Sequence, residues 1–339
     1  MKLLEGKVAI VTGAARGIGK AIAMRFAQEG ASVVFTDLKV DENFQNTEKE
    51  LQALGVKAKG YASNAADFED TANVVAQIMK DFGRIDVLVN NMGMTSAARF
   101  DERSVDSIEH ELAVNLLAPL VVTRLAIPLL KQAPDPRVVT TVSLGGIFPL
   151  GETPIYTASK FGLRGAMLAI SLDLRAKGII AGSVMPSATD TRMLRQEAID
   201  GGNALQFLDP PQTPQQVART MVGLLDRPRL EAYPKPGESW LVRTALLVPN
   251  ALPRLMPLFA GRGERGLATY LADLRARGLV VERDGALHLV EDEPLPGALQ
   301  QPVADQSAGQ HGDVVEALGC QGGGGHLGPP PGAADHDYR

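Results

Sequence analysis

Only one cysteine, Cys320, and one tryptophan, Trp240, occur in the 339 residues. A single thiol cannot build a disulfide framework or a cysteine metal cluster, so no metal site is expected and a reducing compartment fits best. An excess of either charge is also missing: 34 basic and 39 acidic side chains leave a net charge of -5. That balance gives no general attraction to nucleic acid, and the expected partners are small molecules. The run within Met1 to Val11 is too short for a secretory segment, so no cleaved signal is expected. Trp240 to Phe259 is apolar but interrupted by Arg243, Pro249, Pro253, Arg254 and Pro257, and is not expected to cross a bilayer. The expected location is cytoplasmic.

What the chain does have is periodicity. From Lys7 to Val184 short β-branched runs alternate with longer amphipathic stretches, the pattern of repeated βαβ units. Strands are predicted at Val8 to Thr12, Ser32 to Thr36, Lys57 to Tyr61, Val87 to Asn90, Arg137 to Ser143 and Ile179 to Met185. Helices are predicted at Gly19 to Glu29, Asn43 to Leu54, Ala66 to Phe82, Ser104 to Leu130 and Tyr156 to Lys177. The fold class is therefore α/β, a doubly wound parallel sheet. A catalytic domain over 1–239 is expected, with 187–212 as a cover for the site and Thr213 capping a helix from Pro214 to Leu225. A helical extension over 240–290 follows, then a tail over 291–339 whose Gly, Pro, Gln and Asp content predicts disorder.

Thr12-Gly13-Ala14-Ala15-Arg16-Gly17-Ile18-Gly19 follows the first strand and opens the first helix. Glycines there allow a tight turn and close backbone approach, while free N–H groups at the helix start favour a pyrophosphate. Asp37 stands 18 residues after Gly19, just past the second strand, where a carboxylate accepts from an adenosine ribose and repels a 2′-phosphate. NAD is thus favoured over NADP, a preference that Arg16 and Lys39 would soften.

Tyr156 and Lys160 lie four residues apart, on one face of a predicted helix. An ammonium beside a phenol favours the phenolate and moves an ordinary tyrosine toward acid/base work.

Taken together, Thr12-Gly-x-x-x-Gly17-x-Gly19 and Tyr156-x-x-x-Lys160 resemble the short-chain dehydrogenase/reductase family over roughly residues 5 to 230. Asn90-Asn91-Met92-Gly93 looks like its Asn-Asn-Ala-Gly element, with Met92 in place of alanine. Asn115 and Ser143 match its catalytic asparagine and serine. The resemblance implies a Rossmann-like sheet of about seven strands and a homodimer or homotetramer paired through Ser104 to Leu130 and Tyr156 to Lys177. It implies Tyr156 as proton donor and acceptor, Lys160 as the group that lowers its pKa and holds the nicotinamide ribose, Ser143 as orienter of the substrate oxygen, and Asn115 as holder of a water. Cofactor contacts are expected from Gly13, Arg16, Gly17, Ile18, Gly19, Asp37, Asn64, Asn91, Tyr156, Lys160 and Thr191. Simpler readings leave Asn115 satisfying backbone in an irregular helix and Ser143 ending a strand. Besides Met92, two further departures stand out: Asn64 replaces a usual aspartate, and Pro186-Ser187 replaces a Pro-Gly.

The apolar stretch Leu144 to Leu150, with Met193 and Leu194, points to a lipophilic alcohol or ketone, steroid-like or long-chain. Packing of the cover onto the core explains the same residues equally well. An NADPH-dependent 3-oxoacyl thioester reductase and a non-catalytic dinucleotide-sensing or scaffold protein are the alternatives; Asp37 opposes the first, and intact Ser143, Tyr156 and Lys160 oppose the second. Arginines interleaved with apolar residues over 240–278 suit either a helix packed on the core or a partner, or one lying on an anionic membrane surface.

Overall fold

The computed structural model describes residues 2–96, 99–237 and 249–290. They fall in one compact unit spanning 1–295. The tail over 291–339 and the stretch 238–248 lie outside the described residues.

Seven parallel strands form the centre: β1 (Val8–Thr12), β2 (Ser32–Asp37), β3 (Ala58–Ala62), β4 (Val87–Asn90), β5 (Arg137–Thr141), β6 (Ile180–Val184) and β7 (Glu231–Ala232). Their order is β3-β2-β1-β4-β5-β6-β7. β1 pairs with β2 on one side and β4 on the other, so the winding reverses between β1 and β4. A crevice for a ligand opens at the carboxyl ends of the strands at such a reversal. Both faces of the sheet are covered, which explains why β1 and β4 are apolar without alternation.

On one face, α1 (Gly17–Gln28) and α8 (Pro214–Asp226) bury Ile22, Phe26, Val217 and Met221. On the other lie α3 (Phe68–Phe82), α4 (Val105–Leu112), α5 (Ala118–Leu130) and α6 (Pro154–Ala176). These contribute Ile78, Val122, Leu163 and Met167 to a second core. α2 (Glu42–Ala53) is capped by Asp41, which accepts from Phe44 N at 2.9 Å, and α7 (Arg192–Ile199) lies in the cover. Between α4 and α5 the predicted single helix contains a π-helical turn, Ala113–Leu117. The composite helix Val105–Leu130 is long and apolar enough to cross a membrane, but its buried face packs in the second core.

The extension is only partly helical. α9 (Leu252–Ala276) is followed by an antiparallel hairpin, β8 (Val280–Arg283) and β9 (Ala286–Leu289). Asp284 and Gly285 turn the hairpin, both at positive φ. An Asp-Gly pair between two short strand-forming runs is a strong hairpin signal, and it stands in the sequence at Asp284-Gly285. β7 has only two residues, too few to carry any periodic pattern.

Candidate active site

The phosphate turn is shaped by contacts that exclude side chains. Gly13 and Gly17 sit at φ +63 and +59, and a Cβ on Gly13 would come 3.0 Å from Met92 Cα. At Gly19 a Cβ would lie 2.2 Å from the Gly13 carbonyl oxygen. Helix α1 starts at Gly17, two residues before its predicted start, so the last two glycines of the motif belong to its first turn. Asn91 holds the turn from beneath: its Nδ2 donates to the carbonyls of Thr12 at 3.2 Å and Gly13 at 3.1 Å. Its placement is structural, binding the end of β4 to the turn.

Asp37 ends β2 facing the same cleft. One carboxylate oxygen accepts from Ala15 N at 2.8 Å and the other from Leu38 N at 2.9 Å, which fixes the carboxylate at the rim of the turn. Arg16 lines the cleft and pairs with Asp41 at 3.2 Å. The Asn64 side-chain Oδ1 accepts from Ala66 N at 3.1 Å, and Asn64 stays on the cleft wall beside Ser63 and Ala65. Ile18 lines the cleft too and packs against the first core. Thr191 caps α7 and places its methyl 3.5 Å from where a Gly17 Cβ would stand, so the cover touches the phosphate turn.

Asn115 is fully buried in the π-helical turn. Its Oδ1 accepts from Met94 N and its Nδ2 donates to Met94 O, both at 2.8 Å, with a further bond to Ser159 Oγ at 3.2 Å. The side-chain amide is thus spent on the strand β4 exit, the simpler of the two readings. Pro119 has no N–H and stands four residues on, so the helix supplies no donor from that position to the Asn115 carbonyl.

Ser143 lies just past β5, which ends two residues earlier than predicted. Its Oγ accepts from Gly145 N at 2.9 Å, leaving the hydroxyl proton free to donate. A Cβ on Gly145 would stand 3.1 Å from the Tyr156 ring and 3.3 Å from Ser143 Oγ, so that glycine lets the two come together. Lys160 is buried, with Nζ 5.6 Å from the Tyr156 ring centre.

The electrostatics correct one expectation. Burial pushes the Tyr156 phenol up to about 12, against the effect of a hydrogen bond from Ser143, with Glu197 and Glu111 adding to the rise. Burial also pulls Lys160 down to about 8, opposed by Glu111. In the protein alone, then, Lys160 does not bring the tyrosine down, because burial penalises the charged form of each. Glu111, fully buried, pairs with Arg103 at 2.8 Å.

The phosphate turn, Asp37, Asn64, Asn91, Ser143, Tyr156, Lys160 and Thr191 line one cleft of about 1330 Å3 that also reaches Leu194, Leu205, Leu252 and Met256, while Asn115 and Glu111 are buried outside its lining. Pockets for one drug-sized ligand hold roughly 300–1,000 Å3, so there is room for a dinucleotide and a second molecule. Two wall residues carried no sequence signal. Glu197, in the cover, is pushed up by burial and bonded to Gln206, and His110 comes from α4. Ser187, the departure from Pro-Gly, bonds to Gln212 through its carbonyl at 3.0 Å and its hydroxyl at 3.1 Å. With Gln212 N donating to Ala188 O at 2.8 Å, this joins the two ends of the cover.

The family model for short chain dehydrogenases matches residues 7–200. The chain belongs to the short-chain dehydrogenase/reductase family. It is 35% identical over 190 residues to a 3-oxoacyl-[acyl-carrier-protein] reductase of Thermotoga maritima, covering 56% of this chain and 77% of that protein. It is 33% identical to the D-threitol dehydrogenase of Mycolicibacterium smegmatis, covering 61% and 80%. A crystal structure of a short chain dehydrogenase from Burkholderia cenocepacia J2315 in complex with NADP superposes with a TM-score of 0.61 at 33% identity, over 66% of this chain and 91% of that one. Members of this family, this dehydrogenase included, are nicotinamide-dependent oxidoreductases of CH–OH groups.

Proposed function

We propose that this dehydrogenase interconverts a lipophilic secondary alcohol and its ketone with NAD(H), using Tyr156 as the acid/base. The observation that carries this reading is the placement of Tyr156 and Ser143 on a cleft whose wall beyond them is made by Phe148, Leu150, Met193, Leu194 and Leu205. Arg192 and Lys235 line the cleft as well, Lys235 donating to the Pro210 carbonyl at 2.7 Å, and the five apolar side chains supply the area proposed to bind the substrate.

The residues fit a dinucleotide: Gly13, Gly17 and Gly19 leave a cradle that a Cβ would fill, and Asp37 is fixed at its rim. Gly13, Arg16, Gly17, Ile18 and Gly19 would hold the pyrophosphate, Asp37 the adenosine ribose, Asn64 the adenine, and Lys160 and Thr191 the nicotinamide end. Asn91 contributes by bracing the turn. When bound, the cofactor gives or takes the hydride. Tyr156 donates its phenolic proton to the carbonyl oxygen in reduction and takes it from the hydroxyl in oxidation. Ser143 Oγ donates a hydrogen bond to the same substrate oxygen as charge develops there. With a value of about 8 Lys160 is largely an ammonium at neutral pH; an acceptor placed at Nζ would stabilise that form, and an ammonium at that position favours the Tyr156 phenolate. Asn115 offers its main-chain carbonyl to a water through which Lys160 exchanges protons.

Asp37 supports NAD, since a carboxylate repels a 2′-phosphate, while Arg16 and Lys39 on the same wall favour the phosphate. An NADPH-dependent 3-oxoacyl thioester reductase, the activity named for the Thermotoga relative, is the second reading. A homodimer or homotetramer is supported by Val105, Leu117, Phe161 and Leu172, large apolar residues exposed on α4, the π-helical turn and α6.

A screen of secondary alcohols of rising hydrophobicity, run in parallel with NAD and NADP, tests the reading. Expected is kcat/KM that rises with apolar size and favours NAD. Preference for small polar polyols would overturn the substrate class, and preference for NADP the cofactor.

A further inference from the structure

Helix α9 carries one continuous stripe: Leu252, Met256, Phe259, Gly263, Gly266, Tyr270 and Leu274 recur at intervals of three and four and so share a face. The second half of that face clamps the cover. A Cβ on Gly263 would lie 2.6 Å from the Ala204 carbonyl oxygen, and one on Gly266 would lie 1.9 Å from that of Phe207, so the helix backbone crosses the 204–207 turn in direct contact. Tyr270 packs on Phe207 with ring centres 5.2 Å apart, and its hydroxyl donates to Asp190 at 2.8 Å. Arg277 and Arg195 bond the same carboxylate at 2.9 Å each, and Arg262 reaches Asp209 at 3.0 Å.

A helix fixed at Gly263 and beyond must carry its first half somewhere. From Gly263 back to Leu252 the axis runs about 16 Å. That length leads over the cleft, where Leu252, Met256 and Phe259 line the same cavity as Tyr156. Phe259 stays 43% exposed, although the stripe it belongs to is buried further along.

We propose that the first half of α9 is the far wall of the substrate site, taking the apolar distal end of an elongated alcohol or ketone whose reacting carbon lies at Tyr156. This rests on the lipophilic-substrate reading above and extends it to a segment beyond the region matched by the family model, which ends at residue 200. Specificity for length is then set by a part of the chain that plays no role in holding the cofactor. It also sets the cover in place before substrate arrives, since the clamp on 204–207 consists of contacts within the protein.

Two measurements on the full-length protein test this. The first is kcat/KM for a homologous series of secondary alcohols. Each buried methylene is worth about a fourfold gain, and Met256→Glu and Phe259→Glu are expected to flatten that rise, lowering the value for the longest alcohols at least tenfold. An unchanged rise in both variants would overturn the proposal. The second uses a long-chain 2-ketone with a terminal diazirine as photolabel, followed by peptide mapping. Label on 252–259 is expected, whereas label confined to other segments, or none, would overturn it. A protein labelled at 252–259 that oxidises no alcohol would refute the proposed reaction and still support the wall.

Discussion

The two halves of the cleft are built from different materials. The cofactor side is backbone: glycines at Gly13, Gly17 and Gly19, carbonyls held by Asn91, and a carboxylate held by two main-chain N–H groups. The opposite side, proposed to take the substrate, is side chains: Leu194 lines it, backed by an apolar cluster with Ala198, Phe207, Tyr270 and Leu274 and by ion pairs at Asp190. A backbone cradle tolerates almost no substitution: a Cβ would meet Met92 Cα at Gly13 and the Gly13 carbonyl at Gly19, and Gly13 and Gly17 sit at positive φ. Side-chain packing tolerates exchange of one apolar group for another of similar volume. One half is therefore suited to a fixed ligand and the other to a ligand that differs among relatives with substrates as unlike as a thioester and a polyol.

That contrast is open to attack from both sides, and the largest effect is expected on the backbone side. Gly19→Val would drive its side chain into the Gly13 carbonyl and Asn91, weakening dinucleotide affinity by at least about 100-fold, roughly 3 kcal/mol. Titration calorimetry with NAD checks this, and an affinity within threefold would show that the cradle is soft.

Asp190→Asn should loosen the substrate side by about 2 kcal/mol, the scale of charge-assisted bonds, read as faster proteolysis within 190–212 and 252–290. Burial alone would raise this carboxyl, but bonds to Arg195, Tyr270 and Arg277 outweigh it and hold the group below the usual carboxylate range. A depressed carboxyl contributes stability present above its ordinary value of about 3.9 and lost as pH falls through the lower folded value. Wild type and variant should therefore converge in strong acid.

Lys160 gives a pH signature at the junction of the two halves. Its folded value of about 8 lies below its ordinary one, so the buried ammonium destabilises the fold. Lys160→Met should raise stability by about 2 kcal/mol at neutral pH, a gain that fades between the folded value and the ordinary value of about 10.4. Denaturation at a series of pH values checks both size and sign. The smallest effect belongs to Asp37→Asn, which keeps an acceptor for Ala15 N but removes the charge. The ratio of kcat/KM for NAD over NADP should fall about tenfold, roughly 1.4 kcal/mol.

The same contrast explains what the sequence made legible. The sheet, the phosphate turn and the Tyr156/Lys160 pair follow from local rules: strand runs, glycine positions and an i,i+4 spacing. The role of Asn115 was legible only as a position, because its contacts to Met94 and Ser159 span 21 and 44 residues. The i,i+4 spacing of Tyr156 and Lys160 predicts a lowered phenol, whereas burial, which no spacing records, dominates and pushes it up in the protein alone. Glu197 enters the cleft through the fold of 187–212, and α9 through its crossing of 204–207. Both depend on long-range packing without a motif. The hairpin at 280–289 is signalled by Asp284-Gly285, but the arginine-rich run before it carries a helical pattern that extends the expected helix over it.

The central claim is that Tyr156 performs the acid/base step. Turnover of a good secondary alcohol by Tyr156→Phe, measured at the reduced nicotinamide band with saturating NAD, tests it most directly. A loss of about 100-fold or more, in the range of general acid/base contributions, with NAD affinity retained, is expected; turnover within threefold of wild type would contradict it.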